Sequence, residues 1–204
     1  MGVARPDPRT EPFFFLKAPT TTVVGPTADV AIPVDGRSNI DWEAELGVVI
    51  GRRCVSLDES DAAGAIAGYL VANDISDRGP FHRDGAVAAA FEWDWLAEKS
   101  QDGFCPVGPG MVPAWLVPEP QALKIRLDVN GVVKQESSTS QMVSGINRLV
   151  AASSRLMTLE PGDIILTGTP AGVGLPRQEF LHPGDVVSVE IRGCGRISNR
   201  IVSK

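Results

Sequence analysis

The chain is poor in the side chains that bind metals through nitrogen or sulfur. Among its 204 residues are only three cysteines and two histidines. The cysteines, Cys54, Cys105 and Cys194, are odd in number and widely separated without CxxC spacing, so neither a disulfide framework nor a zinc cluster is expected. The histidines, His82 and His182, are too few for an imidazole-rich site. Any metal that the chain binds must therefore be held by oxygen.

Long apolar runs and an excess of basic residues are also missing. No run approaches the roughly 20 residues that a membrane-spanning helix needs, and the start MGVARPDPRTEPFFFLK lacks the charged-then-apolar order of a signal peptide. The net charge of -6 provides no basic stripe for a phosphate backbone. We therefore expect a cytoplasmic protein that contacts neither a membrane nor nucleic acid.

The composition instead favours one domain that is rich in turns. Residues 1–11 are polar and rich in proline and arginine, so we expect a short flexible N-terminal segment before a single domain over residues 12–204. With 21 glycines and 16 prolines, that domain should contain many short strands. Strand patterns outnumber helical ones and do not alternate regularly with them, which predicts an α+β fold that is predominantly β.

Turn signals and periodicity place several elements. Asn130-Gly131, between two alternating apolar and polar runs, predicts a β-hairpin. Two Pro-Gly-Asp turns, at 161–163 and 183–185, each precede a strand pattern. Apolar residues at helical spacing over 144–159 predict an amphipathic helix.

A further helix is predicted after the most acidic strand of the chain. Ser56 and Glu59 have the spacing of a capping box, and an Ala-rich stretch follows them. The pattern therefore predicts a short helix that begins near Ser56.

The stretch DWEAELGVVIG, residues 41–51, has the alternation of a strand with one purely apolar face. Its other face begins with Asp41, Glu43 and Glu45 and ends in a glycine and a valine, so the acids lean toward the protein interior. Like charges that are aligned where water is scarce destabilise one another. The strand therefore raises the question of what neutralises its acids.

A metal ion is one answer. Asp74 ends a second strand pattern, and if the two strands are neighbours, Glu43, Glu45 and Asp74 converge and repel one another unless a cation lies among them. Three carboxylates suit Mg2+, Mn2+ or Ca2+ and leave about three of six octahedral positions open for water or substrate. The alternative, which spacing alone favours, is that the two glutamates form the solvated side of an amphipathic strand.

Two further segments contain candidates for anion binding. Lys99, within EKSQDGFCPVGP, has the charge to stabilise a carboxylate or enolate oxygen, although a surface lysine is the alternative. LTGTPAGVG, residues 166–174, matches neither a P-loop nor GxGxxG, but its N–H groups and the hydroxyls of Thr167 and Thr169 suit a small anion. A tight turn is the alternative there. No GxSxG elbow occurs, so serine hydrolase chemistry is not indicated.

The order of the motifs is more specific than any one of them. The chain contains in sequence EAELGVVIGRRC, GYLVANDISDRG, EKSQDGFCPVGP, NGVVKQESSTSQM, PGDIILTGTPAGVG and PGDVVSVEI. From about Pro12 to Val202, this ordered set resembles the catalytic domain of the fumarylacetoacetate hydrolase family. The resemblance implies a mixed β-roll or sandwich with a few flanking helices, usually in a homodimer. It also replaces the solvated-strand interpretation of the acids.

The resemblance implies a metal and a chemistry. Mg2+ or Mn2+ is held by the positions that match Glu43, Glu45 and Asp74. Members of the family act on small 2-oxo acids: they hydrolyse acylpyruvates, decarboxylate oxaloacetate-type acids, or isomerise and hydrate unsaturated oxo-dioates from aromatic catabolism. We therefore predict metal-dependent C–C bond cleavage or rearrangement of a small 2-oxo acid.

The resemblance also implies which residues contact the substrate. The matching positions are Arg78, Lys99 and Thr169, and we add Gly168 as the neighbour of Thr169. Lys99 and Glu43 are the predicted catalytic residues, because a cation beside the metal stabilises the negative charge that develops on the substrate.

One part of the family pattern is not found ahead of PFFFLK. Many members carry there an NYxxH stretch whose histidine works with a glutamate to activate water, whereas residues 1–11 contain no histidine and one glutamate, Glu11. The expected absence of this pair moves the prediction from hydrolysis toward decarboxylation or tautomerisation, which need chiefly an electron sink. His82 is an alternative base, or an exposed loop histidine without a role.

Two other functional interpretations stay open at this point. The chain could be a family member that binds a metal and a 2-oxo acid but has weak or no catalysis. It could also be a purely structural partner protein, which predicts no metal affinity.

Overall fold

A computed structural model describes Asp7, residues 10–79 and residues 81–204. Most of the predicted flexible segment 1–11 lies outside these described residues. The strands are β1 (Val23–Val24), β2 (Val30–Ile32), β3 (Ile40–Asp41), β4 (Ala44–Ile50), β5 (Ile66–Asn73), β6 (Ser76–Asp77), β7 (Cys105–Pro113), β8 (Lys124–Val129), β9 (Val132–Ser138), β10 (Ile164–Leu166), β11 (Val186–Ile191) and β12 (Gly195–Ser203). The α-helices are α1 (Trp95–Lys99) and α2 (Ile146–Leu156). Short 3-10 helices cover Glu59–Ala65, Ala89–Phe91, Ala114–Leu116, Pro120–Ala122, Thr139–Gln141 and Leu175–Arg177.

The strands form two five-stranded sheets and one short pair. One sheet has the order β1-β7-β5-β4-β10, the other has the order β2-β12-β11-β8-β9, and β3 pairs with β6. Antiparallel neighbours predominate, but β1 runs parallel to β7 and β12 runs parallel to β2. The predicted α+β fold with mostly β structure and mixed sheets is confirmed. In the part of the chain that the structure describes, no helix has the length and apolarity to cross a membrane.

The predicted acidic strand is present, with a break between β3 and β4. Its apolar face is fully buried in the core, where Trp42, Ala44, Leu46, Val48 and Ile50 all lie. Its register with β5 pairs Ala44 with Asn73, and the Asp74 N–H donates to the carbonyl of Glu43 at 2.9 Å. The two strands that bear the acids are therefore neighbours, as the metal hypothesis required.

The hairpin and both Pro-Gly-Asp turns are confirmed. Val129 pairs with Val132 across a two-residue turn in which Asn130 has φ 52° and Gly131 has φ 78°. Positive φ at both turn positions matches the twist of the flanking strands, and asparagine and glycine accept it most readily. The two Pro-Gly-Asp turns lead into β10 and β11.

The predicted capping box is wrong. Ser56 has φ 48°, and a 3-10 helix begins at Glu59 after Asp58, whose side chain makes no capping hydrogen bond. The backbone N–H groups of Ser56 and Leu57 donate instead to the carbonyl and hydroxyl of Ser154, near the end of α2. A tertiary contact therefore satisfies the Ser56 N–H, which the Glu59 side chain would have bound in a capping box.

All three cysteines are free and buried, at exposed fractions of 2% for Cys54, 5% for Cys105 and 2% for Cys194. Burial raises the pKa of Cys105 to about 12 and the pKa of Cys194 to about 11. A raised pKa keeps a thiol protonated at about pH 8, and only the thiolate reacts quickly. We expect an aromatic disulfide reagent to label almost no thiol in the native protein and all three after denaturation. Rapid labelling of the native protein would contradict the buried placement.

Candidate metal centre and substrate pocket

A cavity of about 720 Å³ opens beside the acidic strand. Its lining comes from the segment before β1, from β4 and α1, and from the region between α2 and the turn after β10. The predicted site residues that line it are Glu43, Glu45, Asp74, Arg78, Lys99, Gly168 and Thr169. The structure thus brings every predicted metal, substrate and catalytic residue to one pocket.

The three predicted metal ligands all line this pocket and lie close together. One carboxylate oxygen from each of Glu43, Glu45 and Asp74 lies within 4.8 Å of the other two. All three residues are buried, with Glu43 8% exposed, Glu45 3% and Asp74 0%. The arrangement places three acids close enough to share one cation.

Backbone contacts fix the positions of these acids. At the break between β3 and β4, the Glu43 N–H donates to the side-chain oxygen of Asn73 at 3.0 Å. The next N–H, of Ala44, donates to the side-chain oxygen of Gln135 at 2.9 Å. Two buried amides from other strands therefore satisfy the backbone where the ladder is interrupted, and Glu43 is held toward Asp74.

Two lysines extend into the same cluster. The Lys99 ammonium donates to Glu43 and Asp74, each at 2.9 Å, and to the Ser76 hydroxyl at 2.7 Å. Lys17 donates to the other oxygen of Asp74 at 2.5 Å. The sequence interpretation identified Lys99 but missed Lys17, whose only local signal is a single lysine that ends an apolar run.

Arg78 is held by three acids. Its guanidinium donates to Asp41 at 3.3 Å, to Glu43 at 2.5 Å and to Glu98 by a short hydrogen bond. Asp41 does not join the metal trio, because its carboxylate also accepts from the N–H groups of Gly174 and Leu175 at 2.6 and 3.0 Å. Asp41 and Glu98 therefore position Arg78, a role that sequence reasoning missed.

The titration behaviour follows from this crowding. Burial raises the pKa of Glu43, the charge of Asp74 raises it further, and Lys99 and Arg78 partly oppose this. Burial also raises the pKa of Glu45, to well above its usual value, and the charges of Asp74 and Glu43 add to the shift. Burial by itself lowers the pKa of Lys99, but Glu43 and Asp74 outweigh it and raise that pKa. Lys99 therefore stays charged at neutral pH.

A divalent cation fits this donor set. Among the described residues Glu45 forms no salt bridge, and it accepts a hydrogen bond from the Gly168 N–H at 2.6 Å. Five buried acids, the trio with Asp41 and Glu98, surround three cations, Lys17, Arg78 and Lys99. Oxygen-only ligands with excess negative charge are what a hard dication requires.

The Thr167–Thr169 turn supports the acids. The hydroxyl of Thr167 donates to the Leu46 carbonyl and that of Thr169 to the Ala44 carbonyl, both at 3.0 Å. Gly168 has φ 89°, which lets its N–H point at Glu45. Both hydroxyl hydrogens and the Gly168 N–H are thus used within the fold, and a substrate role for Gly168 and Thr169 stays a prediction.

His82 lies apart from the cluster. Its ring contacts Trp93 edge-on and its Nδ1 lies 3.3 Å from the Asp84 carboxylate, while its side chain is 47% exposed. It is not among the residues that line the pocket. These contacts favour the interpretation of His82 as a loop histidine over that of a base.

Glu98 should contribute to stability through Arg78. Burial raises the pKa of Glu98, so a change that removed only its charge would not be expected to destabilise the fold. Replacing Glu98 with leucine keeps a similar volume but also removes the oxygen that accepts from Arg78. A largely buried guanidinium N–H then loses its acceptor, so we expect the free energy of unfolding to fall by about 1.5–3 kcal/mol. Glu136→Leu is the control, because its partner Arg126 is 4.0 Å away and both side chains are exposed, where a pair contributes less than about 1 kcal/mol. Urea unfolding of both variants measures the difference, and equal losses would contradict the role of Glu98.

The donors and charges of the pocket would suit a divalent cation beside a ligand cavity. The family model described as fumarylacetoacetate (FAA) hydrolase C-terminal matches residues 1–202. The chain therefore belongs to the fumarylacetoacetate hydrolase family, as the order of its motifs predicted.

Named relatives extend this result. Oxaloacetate tautomerase fahd2, mitochondrial, from Xenopus laevis is 42% identical over 195 residues, which are 94% of this chain and 58% of that protein. The crystal structure of 5-carboxymethyl-2-hydroxymuconate delta-isomerase from Mycobacterium smegmatis matches with a TM-score of 0.84 at 39% identity, over 100% of this chain and 73% of that one. This match confirms the predicted family fold. The chain spans little more than half the length of the Xenopus protein.

A third relative was solved with ligands. Maleylpyruvate hydrolase from Sphingobium sp. SYK-6, in complex with manganese (II) ion and pyruvate, matches with a TM-score of 0.79 at 33% identity. The match covers 96% of this chain and 66% of that one. A protein of the same fold thus binds a divalent metal together with a 2-oxo acid.

Proposed function

We propose that the protein is a divalent-metal-dependent enzyme that acts on a small 2-oxo acid. It cleaves a carbon–carbon bond near the keto group or rearranges the bonds there. The observation that carries the proposal is the trio of Glu43, Glu45 and Asp74, whose carboxylates lie within 4.8 Å of one another in the wall of a cavity. Relatives named as a tautomerase, an isomerase and a hydrolase support an enzyme over a purely structural protein.

The side chains of the pocket suit this chemistry. When bound, Mg2+ or Mn2+ would polarise the 2-oxo carbonyl and stabilise negative charge on its oxygen. Lys99 adds a fixed positive charge beside the trio, 2.9 Å from Glu43 and Asp74, and would help to stabilise negative charge on a substrate oxygen bound there. Among the described residues, Arg78 uses three of its five N–H donors on acids, so two are left there for a substrate carboxylate.

The named relatives favour catalysis over the alternative of an inactive binding protein. All three carboxylates and the predicted catalytic Lys99 are in place. A protein that only binds a metal and a 2-oxo acid would keep the carboxylates too, so the preference for catalysis rests on the named relatives. Between reaction types, tautomerisation and decarboxylation need the metal and a proton donor or acceptor, which this cluster contains.

Turnover in the presence of added metal is the direct test. Oxaloacetate and several acylpyruvates would be incubated with Mg2+ or Mn2+, with pyruvate release and the enol–keto absorbance followed separately. We expect turnover of at least one 2-oxo acid that exceeds the rate with metal but no protein, is lost with a chelator and is restored by the metal. Equal rates with chelator and with metal would refute the proposal.

Assembly and location are proposed from the family pattern and the sequence. We propose a homodimer, which light scattering would report as twice the mass of one chain, and a cytoplasmic location, which cell fractionation would test. Contacts with membranes or nucleic acid are not part of the proposed function.

A further inference from the structure

The candidate pocket has two chemically different ends. Its charged end holds the acid trio with Lys17, Arg78 and Lys99, and each of these three cations is already paired with at least one carboxylate. Outside that cluster, the one charged side chain among the described lining residues is Asp163, an acid. A second carboxylate on a substrate would therefore find no unpaired cation at the far end.

Three aromatic rings form one wall of the far end. Phe15 stacks on Trp95 with ring centroids 5.2 Å apart and an interplanar angle of 10°, and Phe13 packs on Trp95 at 5.1 Å. All three residues line the pocket. We call Phe13, Phe15 and Trp95 the aromatic wall.

The aromatic wall begins directly beside the charged cluster. The Lys99 ammonium lies 4.9 Å from the centroid of the Phe15 ring. A ligand bound beside Lys99 is therefore within reach of Phe15, on which Trp95 stacks. Other lining residues are aliphatic and come from the last residue of α2, the segment after it and the start of β10: Leu156, Met157, Leu159 and Ile164.

We infer that the substrate is a 2-oxo acid whose distal group is uncharged and aromatic or otherwise bulky and apolar, held by the aromatic wall. This inference rests on the proposed function and narrows its substrate class. A distal ring gains dispersion and stacking against Phe15 and Trp95 and leaves water for an apolar surface. A distal carboxylate would lose hydration there without a partner.

Exposure of the same residues suggests a competing use. Phe13 is 69% exposed and Leu156 is 66% exposed, so a contact between subunits could also cover this end. The two uses differ in what they predict, because a subunit contact changes mass in solution and a substrate wall changes ligand preference.

Three stable ligands with one shared head group test the inference. 2-Oxobutyrate, 2-oxoglutarate and 2-oxo-4-phenylbutyrate differ only beyond the third carbon, where they carry a methyl, a charged and an aryl end. Isothermal titration would measure each Kd with saturating Mn2+ and again with chelator. We expect the aryl ligand to bind at least about 10-fold more tightly than 2-oxobutyrate and 2-oxoglutarate to bind no more tightly than 2-oxobutyrate.

Matched tryptophan variants assign the effect to the aromatic wall. Trp95→Leu should reduce the preference for aryl over methyl ligand by about threefold or more, and Phe13→Leu should reduce it in the same direction. Trp115→Leu is the control, because Trp115 is 79% exposed and does not line the pocket. Light scattering on the same samples measures the mass of the assembly in solution.

The outcomes separate the inference from the proposed function. If 2-oxobutyrate binds only with Mn2+ but the aryl ligand binds no better, the inference is overturned and the proposed function stands. The inference is also overturned, and the proposed function stands, if the Trp95 and Phe13 variants change the mass of the assembly but not the ligand preference. If none of the three ligands binds with Mn2+, both are overturned.

Discussion

Replacing Glu45 with glutamine should remove metal binding and metal-dependent turnover while leaving the metal-free protein folded. Glu43 and Asp74 have lysine or arginine partners, but Glu45 is held only by the Gly168 N–H among the described residues. Its pKa is raised well above the usual value by burial and by the two neighbouring acids. A neutral glutamine resembles the protonated form, so the metal-free fold should lose little stability.

The pH dependence of stability shows in which direction Glu45→Gln should change the melting temperature of the metal-free protein. A carboxyl group whose pKa is higher in the folded state stabilises the fold below its ordinary pKa of about 4.5 and loses that contribution as pH rises through the raised value. Above that value the metal-free parent carries the repulsion and Glu45→Gln does not. The variant should therefore melt at the same temperature as the parent or higher at neutral pH without metal.

Titration with Mn2+ measures the effect on binding. A direct ligand should matter more than an outer-shell contact, whose loss costs about 10–100-fold in metal affinity, so we expect Glu45→Gln to weaken Mn2+ binding by more than about 100-fold. Glu160→Gln is the control, because Glu160 is an exposed acid paired with Arg53. Unchanged Mn2+ affinity in Glu45→Gln would mean that the trio does not share a cation.

The sequence predicted the centre of this site because alternation on a strand is a strong signal. Residues 41–51 pair an apolar face with acids, and burial of the apolar face forces the acids to a defined side of the sheet. No local pattern places Asp74 beside these acids, since nothing in the sequence around it says that β5 lies beside β4. The order of the motifs supplied that information through the family resemblance.

The missed residues have contacts that no local pattern reveals. Lys17 reaches Asp74 across 57 positions, and Asp41 accepts from Gly174 across 133. Glu98 occupies an ordinary helical position, and its role depends on Arg78 lying beside α1. The capping box failed for the same reason, because Ser154 satisfies the N–H groups near Ser56 from another element.

Lys99→Met should separate binding from chemistry. The Lys99 ammonium donates all three of its hydrogens, to Glu43, Asp74 and Ser76, and it is the most deeply buried cation of the cluster, with a side chain that is 2% exposed. Methionine fills similar volume without the charge. Loss of one preorganised positive contact to developing negative charge costs about 2.7–4 kcal/mol in the barrier, or about 10²–10³-fold in kcat.

In Lys99→Met, the affinity for the metal should not fall, although turnover does. Lys99 binds oxygens of Glu43 and Asp74 that a dication also needs, so its removal leaves those oxygens with less competition. Lys134→Met is the control, because Lys134 is a lysine paired with an acid, Glu179 at 2.8 Å, that lies outside the pocket. Steady-state kinetics with saturating Mn2+ measure kcat, and a Mn2+ titration measures the metal affinity. If kcat in Lys99→Met equals that of Lys134→Met, Lys99 only balances charge in the fold, and the developing charge on the substrate must be stabilised by the metal and Arg78 alone.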